Sequence, residues 1–261
     1  MVNFVGAGPG AKDLVTVRAQ RLLSKAGVII YAGSLVNPEL LEYAKPGCQF
    51  YNSARMTLEE VIDVIKDAHN NGTEIVRLHT GDPSIYGAIK EQMDKLDELG
   101  IPYASCPGVS SFCGAAASLN LEYTLPGISQ SVIITRMEGR TPVPSTESIE
   151  SFATHNATMV LFLSTGMAGS LSQKLISGGY SPDTPAAIVY KATWADEEKY
   201  ICTIGTLEET AQKHNISKTA LIIVGNIIAP GKYNRSELYN PCFSTEYRES
   251  SQEMPENYKN H

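Results

Sequence analysis

His79-Thr80-Gly81-Asp82-Pro83-Ser84-Ile85-Tyr86-Gly87 joins an apolar run, residues 74–78, to a helical pattern that begins near Ala88. A Gly/Pro-rich loop at the carboxyl end of a buried strand is where open α/β sheets bind small molecules. Two loops of the same kind flank it: Gly6-Ala7-Gly8-Pro9-Gly10 after residues 2–5, and Pro107-Gly108-Val109-Ser110-Ser111 after residues 101–106. Three such strand ends predict one shared crevice.

Working outward, strand-like and helix-like segments alternate over the first 120 residues, which calls for parallel βα units. Strands are predicted at 28–32 and 49–52, and a first helix at 14–26. Thr57-Leu58-Glu59-Glu60 is a capping box for a helix with apolar Val61, Ile62, Val64, Ile65 and Ala68, closed by Asn70-Asn71-Gly72. The pattern changes after Ser118-Leu119-Asn120, and Pro126-Gly127 breaks the chain. Further strands are expected at 131–135, 158–164, 186–191 and 219–228, with helices near 168–177 and 207–213. A strand at 199–204 would pair antiparallel beside 186–191 and make that sheet mixed. The expected division is an N-terminal α/β domain over 1–120, a C-terminal α/β domain over 121–230 and a polar tail over 231–261. The last dozen residues carry the composition of a disordered end.

The 261 residues are 43% hydrophobic and 19% charged, an ordinary globular balance, with no apolar run near the roughly 18 residues that span a bilayer. The opening residues run straight into a strand with no secretory signal, and the expectation is a cytoplasmic protein. A net charge of −7 argues against nucleic-acid partners, whose phosphates need Lys and Arg. Five cysteines without a Cys-x-x-Cys pair and five histidines without a His-x-x-x-His pair give no reason to expect a protein-bound metal.

Gly6-Ala7-Gly8-Pro9-Gly10-Ala11 formally satisfies the dinucleotide fingerprint. Pro9 has no N–H for a pyrophosphate, and the strand at 28–32 ends without an acid for a ribose, so a tight turn and a ligand-lining loop remain the better readings. Asp82, held extended before Pro83, either caps the next helix or meets a ligand. Ser110-Ser111 is open to the same two readings. Arg136-Met137-Glu138-Gly139-Arg140-Thr141-Pro142-Val143-Pro144 is either a solvated connector or a stiff segment whose two guanidinium groups hold a carboxylate. No nucleophile elbow or acid/base constellation stands out, and His79 reads as a strand-end residue rather than a base.

Together these motifs resemble the tetrapyrrole (corrin/porphyrin) methyltransferases, over residues 2 to about 248. The general marks are Val5 to Gly10 with Leu14 and Thr16, then Gly81-Asp82-Pro83, then Pro107 to Ser111. Tyr31-Ala32-Gly33-Ser34-Leu35-Val36, the Gln130 to Arg136 run continuing to Pro144, Val189-Tyr190-Lys191-Ala192-Thr193-Trp194 and Arg235-Ser236-Glu237-Leu238-Tyr239 resemble the branch that acts on precorrin-4.

The resemblance implies a two-domain tetrapyrrole methylase fold, each domain a mostly parallel or mixed sheet flanked by helices, and a homodimer. It implies S-adenosyl-L-methionine in the cleft between domains and methyl transfer to C-11 of precorrin-4 or cobalt-precorrin-4 in cobalamin biosynthesis. A sister enzyme methylating another ring carbon and a non-catalytic corrinoid carrier are the alternatives. Carried over by position, the cofactor sites fall at Pro9, Thr80, Gly81, Asp82, Ile85, Ser110, Ser111, Leu163, Ala192, Thr219, Ala220 and Leu221. Gly8 and Gly10 would then line the tetrapyrrole trough, with Arg55, Arg136, Arg140 and Lys191 for its carboxylates. Ala32 departs from the aspartate of the uroporphyrinogen-III branch, and Ala11 and Lys12 stand where relatives commonly carry an acid. No catalytic base is assigned.

Overall fold

A computed structural model describes residues 1–252, so the last nine residues of the expected disordered end lie outside the described part. In the first half, β1 (Val2–Gly6), β2 (Val28–Tyr31), β3 (Gln49–Asn52), β4 (Ile75–His79) and β5 (Tyr103–Cys106) form one sheet in the order β3-β2-β4-β1-β5. Every pairing in it is parallel. Its helices are α1 (Val17–Lys25), α2 (Leu58–Asn70), α3 (Lys90–Glu98) and α4 (Ser111–Leu119). Val2, Phe4, Ile30, Ile65, Ile75 and Leu96 fill one face, and Val5, Leu23, Ile29, Leu40 and Leu78 the other. Burial on both faces is why these strands read as continuous apolar runs.

Because β4, β1 and β5 are neighbours, the three Gly/Pro loops emerge side by side. They touch backbone to backbone. Gly8 and Gly81 exchange both N–H···O bonds, at 3.3 and 2.9 Å. A Cβ on Gly6 would lie 2.5 Å from the Gly108 Cα and 2.6 Å from the Gly81 carbonyl oxygen, so only glycine allows this approach.

The second half holds β6 (Val132–Arg136), α5 (Ile149–Ala153), β7 (Thr158–Phe162), α6 (Ala168–Ser177), β8 (Pro185–Tyr190), β9 (Glu198–Thr203), α7 (Leu207–Lys213) and β10 (Ala220–Val224). Its sheet, ordered β6-β7-β10-β8-β9, is parallel only between β6 and β7 and is therefore mixed, with β9 antiparallel to β8 as expected. Met159, Leu161, Leu171, Leu175, Ile188 and Ile222 pack under α6 and α7. The opposite face, with Val160, Ala187, Val189, Leu221 and Ile223, packs on Ala115 of α4. That helix follows directly from the β5 loop. It is the wedge that seats one half on the other, and Gly114 lets it approach Pro9.

Local details depart from expectation in three places. The first helix starts at Val17 rather than residue 14, because Lys12–Leu14 forms a 3-10 turn and the Thr16 hydroxyl accepts from the Ala19 N–H as the true cap. The strand expected over 219–228 stops at Val224, where Gly225 adopts φ +141°. The short α5 was not anticipated; its five residues are too few for an apolar period to show. The Thr57/Glu60 capping box forms as read, with bonds of 2.7 and 3.3 Å.

Candidate active site

The carboxyl ends of β1, β4 and β5 face strand ends of the second sheet, those of β7, β8 and β10, across a cavity of about 410 Å³, a size that suits a small-molecule ligand. All twelve positions assigned to the cofactor border it. Pro9, Thr80, Gly81, Asp82, Ile85, Ser110 and Ser111 come from the first half, and Leu163, Ala192, Thr219, Ala220 and Leu221 from the second. A larger, shallower depression of about 590 Å³ lies beyond Thr165 and Ser217, between α6 and α7, and none of the expected residues borders it.

Asp82 sits at the joint between two loops. One carboxylate oxygen accepts from the Ser84 N–H and hydroxyl, and the other from the Gly108 N–H at 2.8 Å. Burial pushes its pKa up, but the bonds from Ser84 and Gly108 outweigh that and hold the carboxyl below its ordinary value. Asp82 therefore staples the β4 loop to the β5 loop, a role neither reading named, and it borders the cavity where the ligand reading needs it.

The second wall is made differently. Leu163 follows β7, Lys191 follows β8 and Thr219 precedes β10, and all three have left-handed backbones, with φ of 54°, 45° and 56°. The Lys191 N–H donates to the Thr219 carbonyl at 2.9 Å, bracing two of these residues against each other. Beyond them the segment 191–197 clasps the first half. Trp194 Nε1 donates to the Pro9 carbonyl at 3.1 Å, and the Ala11 N–H donates to the Thr193 hydroxyl at 3.0 Å.

The expected tetrapyrrole contacts are only partly brought together. Lys191 borders the cavity, with its ammonium paired to Asp196 at 2.5 Å and 5.4 Å from the Trp194 ring centre. Gly8 and Gly10 are buried and are not among the residues that border this cavity: Gly8 at φ +78° lies under the Leu14 carbonyl, and Gly10 lies under the Trp194 indole. Arg136 is not among the residues that border the cavity, and its guanidinium is partly engaged, Nη1 donating to the carbonyls of Met137 and Thr141 and Nη2 to that of Pro142, which folds its own loop around it. Arg55 and Arg140 are exposed and outside the lining. A dinucleotide role for the first loop also fails on geometry, because α1 starts seven residues after Gly10 and offers it no N-terminus.

Sequence reasoning missed Ser34, Leu35, Tyr86, Phe162, Trp194 and Lys218 as lining residues. Ser34 and Leu35 occupy a 3-10 turn directly after β2, a fourth strand end whose position was itself a signal. Tyr86 and Phe162 meet across the cavity with ring centres 5.4 Å apart. His79 is buried as a strand-end residue, but its Nε2 has no hydrogen-bond partner among the described residues. Burial, with Arg77 nearby, pushes its pKa down to about 3, so it stays neutral. Among the described residues no group of three or more His, Cys, Asp or Glu is placed to hold a metal ion, and no helix is long and apolar enough to cross a membrane.

Residues 1–208 match the Tetrapyrrole (Corrin/Porphyrin) Methylases. A Methanocaldococcus jannaschii protein named cobalt-precorrin-4 C(11)-methyltransferase is 52% identical over 249 residues, covering 95% of this chain and 96% of that protein. The solved structure of a cobalamin biosynthetic enzyme, cobalt precorrin-4 methyltransferase, superimposes with a TM-score of 0.86 at 42% identity, over 88% of this chain and 96% of the other. Uroporphyrin-III C-methyltransferase from Thermus thermophilus, solved with S-adenosyl homocysteine, gives 0.71 at 26% identity, over 87% and 93%. With two five-stranded sheets meeting at a cavity and kinship of this extent, the chain belongs to the tetrapyrrole (corrin/porphyrin) methylase family.

Proposed function

We propose that this chain transfers a methyl group from S-adenosylmethionine to carbon 11 of precorrin-4 in cobalamin biosynthesis, within the cavity between its two sheets. The observation that carries the reading is the convergence of all twelve cofactor positions, from both halves, on that one cavity. The lining fits a sulfonium nucleoside. Tyr86, Phe162 and Trp194 present aromatic groups to it, beside the ionised Asp82, and ring faces attract a cation. Leu163, Val189 and Leu221 offer apolar surface for a base.

S-adenosylmethionine supplies the methyl group in electrophilic form, so the chain's own task is to bind and align. Alignment of two reactants is worth roughly 7–11 kcal/mol. Among the described residues no histidine lines the cavity, and the carboxylate of Asp82, the one acid among them that does, is taken up by Ser84 and Gly108. That suits a reaction whose substrate provides its own nucleophilic carbon. Lys191, and with it Lys218, are the cations placed to meet the tetrapyrrole's carboxylates.

The same reading makes each half a domain, joined near residues 119–126, and makes the protein a cytoplasmic homodimer without nucleic-acid or membrane partners. Five cysteines outside any disulfide accord with a reducing compartment. Sedimentation of the purified chain tests the dimer. The reaction is tested by incubation with methyl-labelled S-adenosylmethionine and cobalt-precorrin-4 or metal-free precorrin-4, followed by mass-spectrometric location of the label. Label at carbon 11 is expected, and the substrate that accepts it separates the two forms. Label at another carbon would make this a sister enzyme; pigment binding without transfer would make it a corrinoid carrier.

A further inference from the structure

Arg77 is an unusual residue to find in the middle of β4. It is 6% exposed, and no carboxylate among the described residues lies within ion-pair distance of it. A buried cation without a counter-charge is costly, and such a group persists where the surrounding structure holds it. Arg77 is held by oxygen acceptors instead. Its Nε donates to the Gln92 side-chain oxygen at 3.0 Å and its Nη1 to the Ile30 carbonyl at 3.2 Å.

Gln92, on α3 and equally buried, passes the constraint on. A guanidinium has only donors, so Gln92 must present its oxygen to Arg77, which turns its NH2 the other way. That NH2 donates to the Ala88 carbonyl at 2.9 Å. Ala88 is left-handed at φ 48°, as is Tyr86 at φ 55°, and between them Gly87 lies so close to the Pro83 carbonyl that no Cβ fits. Two non-glycine residues in this conformation within three positions are strained and survive only when over-determined from outside. Tyr86 then reaches across to Phe162 of the second sheet.

We propose that Arg77 and Gln92 are positioning residues: through the Ala88 carbonyl they fix the strained 86–88 turn and so hold Tyr86 against Phe162 as a preformed wall of the ligand cavity. The inference rests on the reading of that cavity as the methyl-transfer site. Neither residue touches the cavity; both act through Tyr86.

Gln92→Glu separates positioning from packing. Glutamate keeps an acceptor for Arg77, stays ionised beside that cation, and replaces the donor facing Ala88 with a repelling oxygen. The melting temperature is expected to hold or rise. The kcat/KM for methyl transfer is expected to fall at least tenfold, and the Kd for S-adenosylhomocysteine to rise at least fivefold. In the Tyr86→Ala background the same substitution should cost nothing further, because its effect runs through Tyr86. Independent, multiplicative losses would overturn the proposal, as would an active Gln92→Glu protein.

A ligand-free readout keeps this apart from the functional reading. With 3-fluorotyrosine incorporated and the Tyr86 resonance assigned by its loss in Tyr86→Phe, Gln92→Glu should shift or broaden that resonance. An unmoved resonance overturns the relay whatever the activity. A moved resonance in a protein that, even unmutated, binds no S-adenosylhomocysteine sinks the functional reading and leaves the relay standing. Should Gln92→Glu not fold, Arg77→Met/Gln92→Met removes the buried charge together with its partner and is expected to give the same resonance change.

Discussion

The two walls of the cavity solve the same problem with opposite means. On the first sheet the strand ends turn on glycine: Gly8 and Gly81 have positive φ, and Gly6 and Gly108 stand where backbones nearly touch. On the second sheet the corresponding strand ends turn on Leu163, Lys191 and Thr219, all left-handed and all carrying side chains. A left-handed L-residue costs roughly 1–2 kcal/mol, and a β-branched one such as Thr219 is a true outlier. The glycine contacts of the first wall are shaped by close approach, whereas the second wall, like the 86–88 turn of the β4 loop, spends strain to keep side chains at a ligand site.

The hardest test of the glycine wall is Gly108→Ala. Its methyl group would be driven into the Gly81 carbonyl oxygen and the Gly6 backbone, neither of which can swing aside. A loss of about 3 kcal/mol or more is expected, read as a lower denaturant midpoint with an unchanged slope. A tolerated alanine would mean that the three loops are not in close register.

Asp82→Asn probes the staple between two of those loops. The substitution weakens bonds from Ser84 and Gly108 to a charged acceptor at a partly exposed site, and about 1.5 kcal/mol should be lost at neutral pH. The folded-state pKa is depressed, so the stabilisation is complete above the unfolded value of about 3.9 and disappears as pH falls through the lower, folded value. Chemical melts of the two proteins should therefore converge only in acid, below about pH 4. A gap that is constant with pH would remove the carboxylate from the account.

Trp194→Phe keeps an aromatic over Gly10 but removes the donor to the Pro9 carbonyl, and about 1 kcal/mol of stability should go with it. Because Trp194 is the single tryptophan and borders the cavity, its fluorescence in the unmutated chain should change as S-adenosylhomocysteine is titrated in. A silent titration alongside calorimetric binding would place the ligand elsewhere.

Leu163→Gly should give the smallest change and the opposite sign. Leu163 is 69% exposed, so little packing is lost. Relief of roughly 1–2 kcal/mol of backbone strain, less the roughly 0.5–1 kcal/mol entropic penalty of glycine, leaves a net gain of about 0–1.5 kcal/mol. Affinity for S-adenosylhomocysteine should fall in the same variant. A protein made both less stable and equally competent would mean that the strain serves packing, not the site.

This contrast also explains what could be read without coordinates. Gly81, Gly108 and Pro9 announce turns by their chemistry, and the parallel first sheet follows from apolar runs buried on both faces. Leu163, Lys191 and Thr219 carry no such mark, because nothing in a leucine says that its backbone is left-handed; their place in the site came only through resemblance. Arg136 shows a related limit. Composition shows a charge, but not that three carbonyls of its own loop will fold around it. Tyr86 was hidden because its pose depends on Arg77 and Gln92, which are distant from the cavity and individually unremarkable in the sequence.

The order of the first sheet bears on how the chain leaves the ribosome. β1 precedes every other strand, yet its partners are β4 and β5, so Val2, Phe4 and Val5, fully buried in the finished protein, have no sheet neighbour until residues 75–79 and then 103–106 have been made. Pairing of such long sequence separation is slow and leaves apolar surface uncovered meanwhile. A nascent chain stalled before β5 is therefore expected to be a strong chaperone client and to possess no ligand cavity, since the loop that carries Ser110 and Ser111 has not yet met the other two.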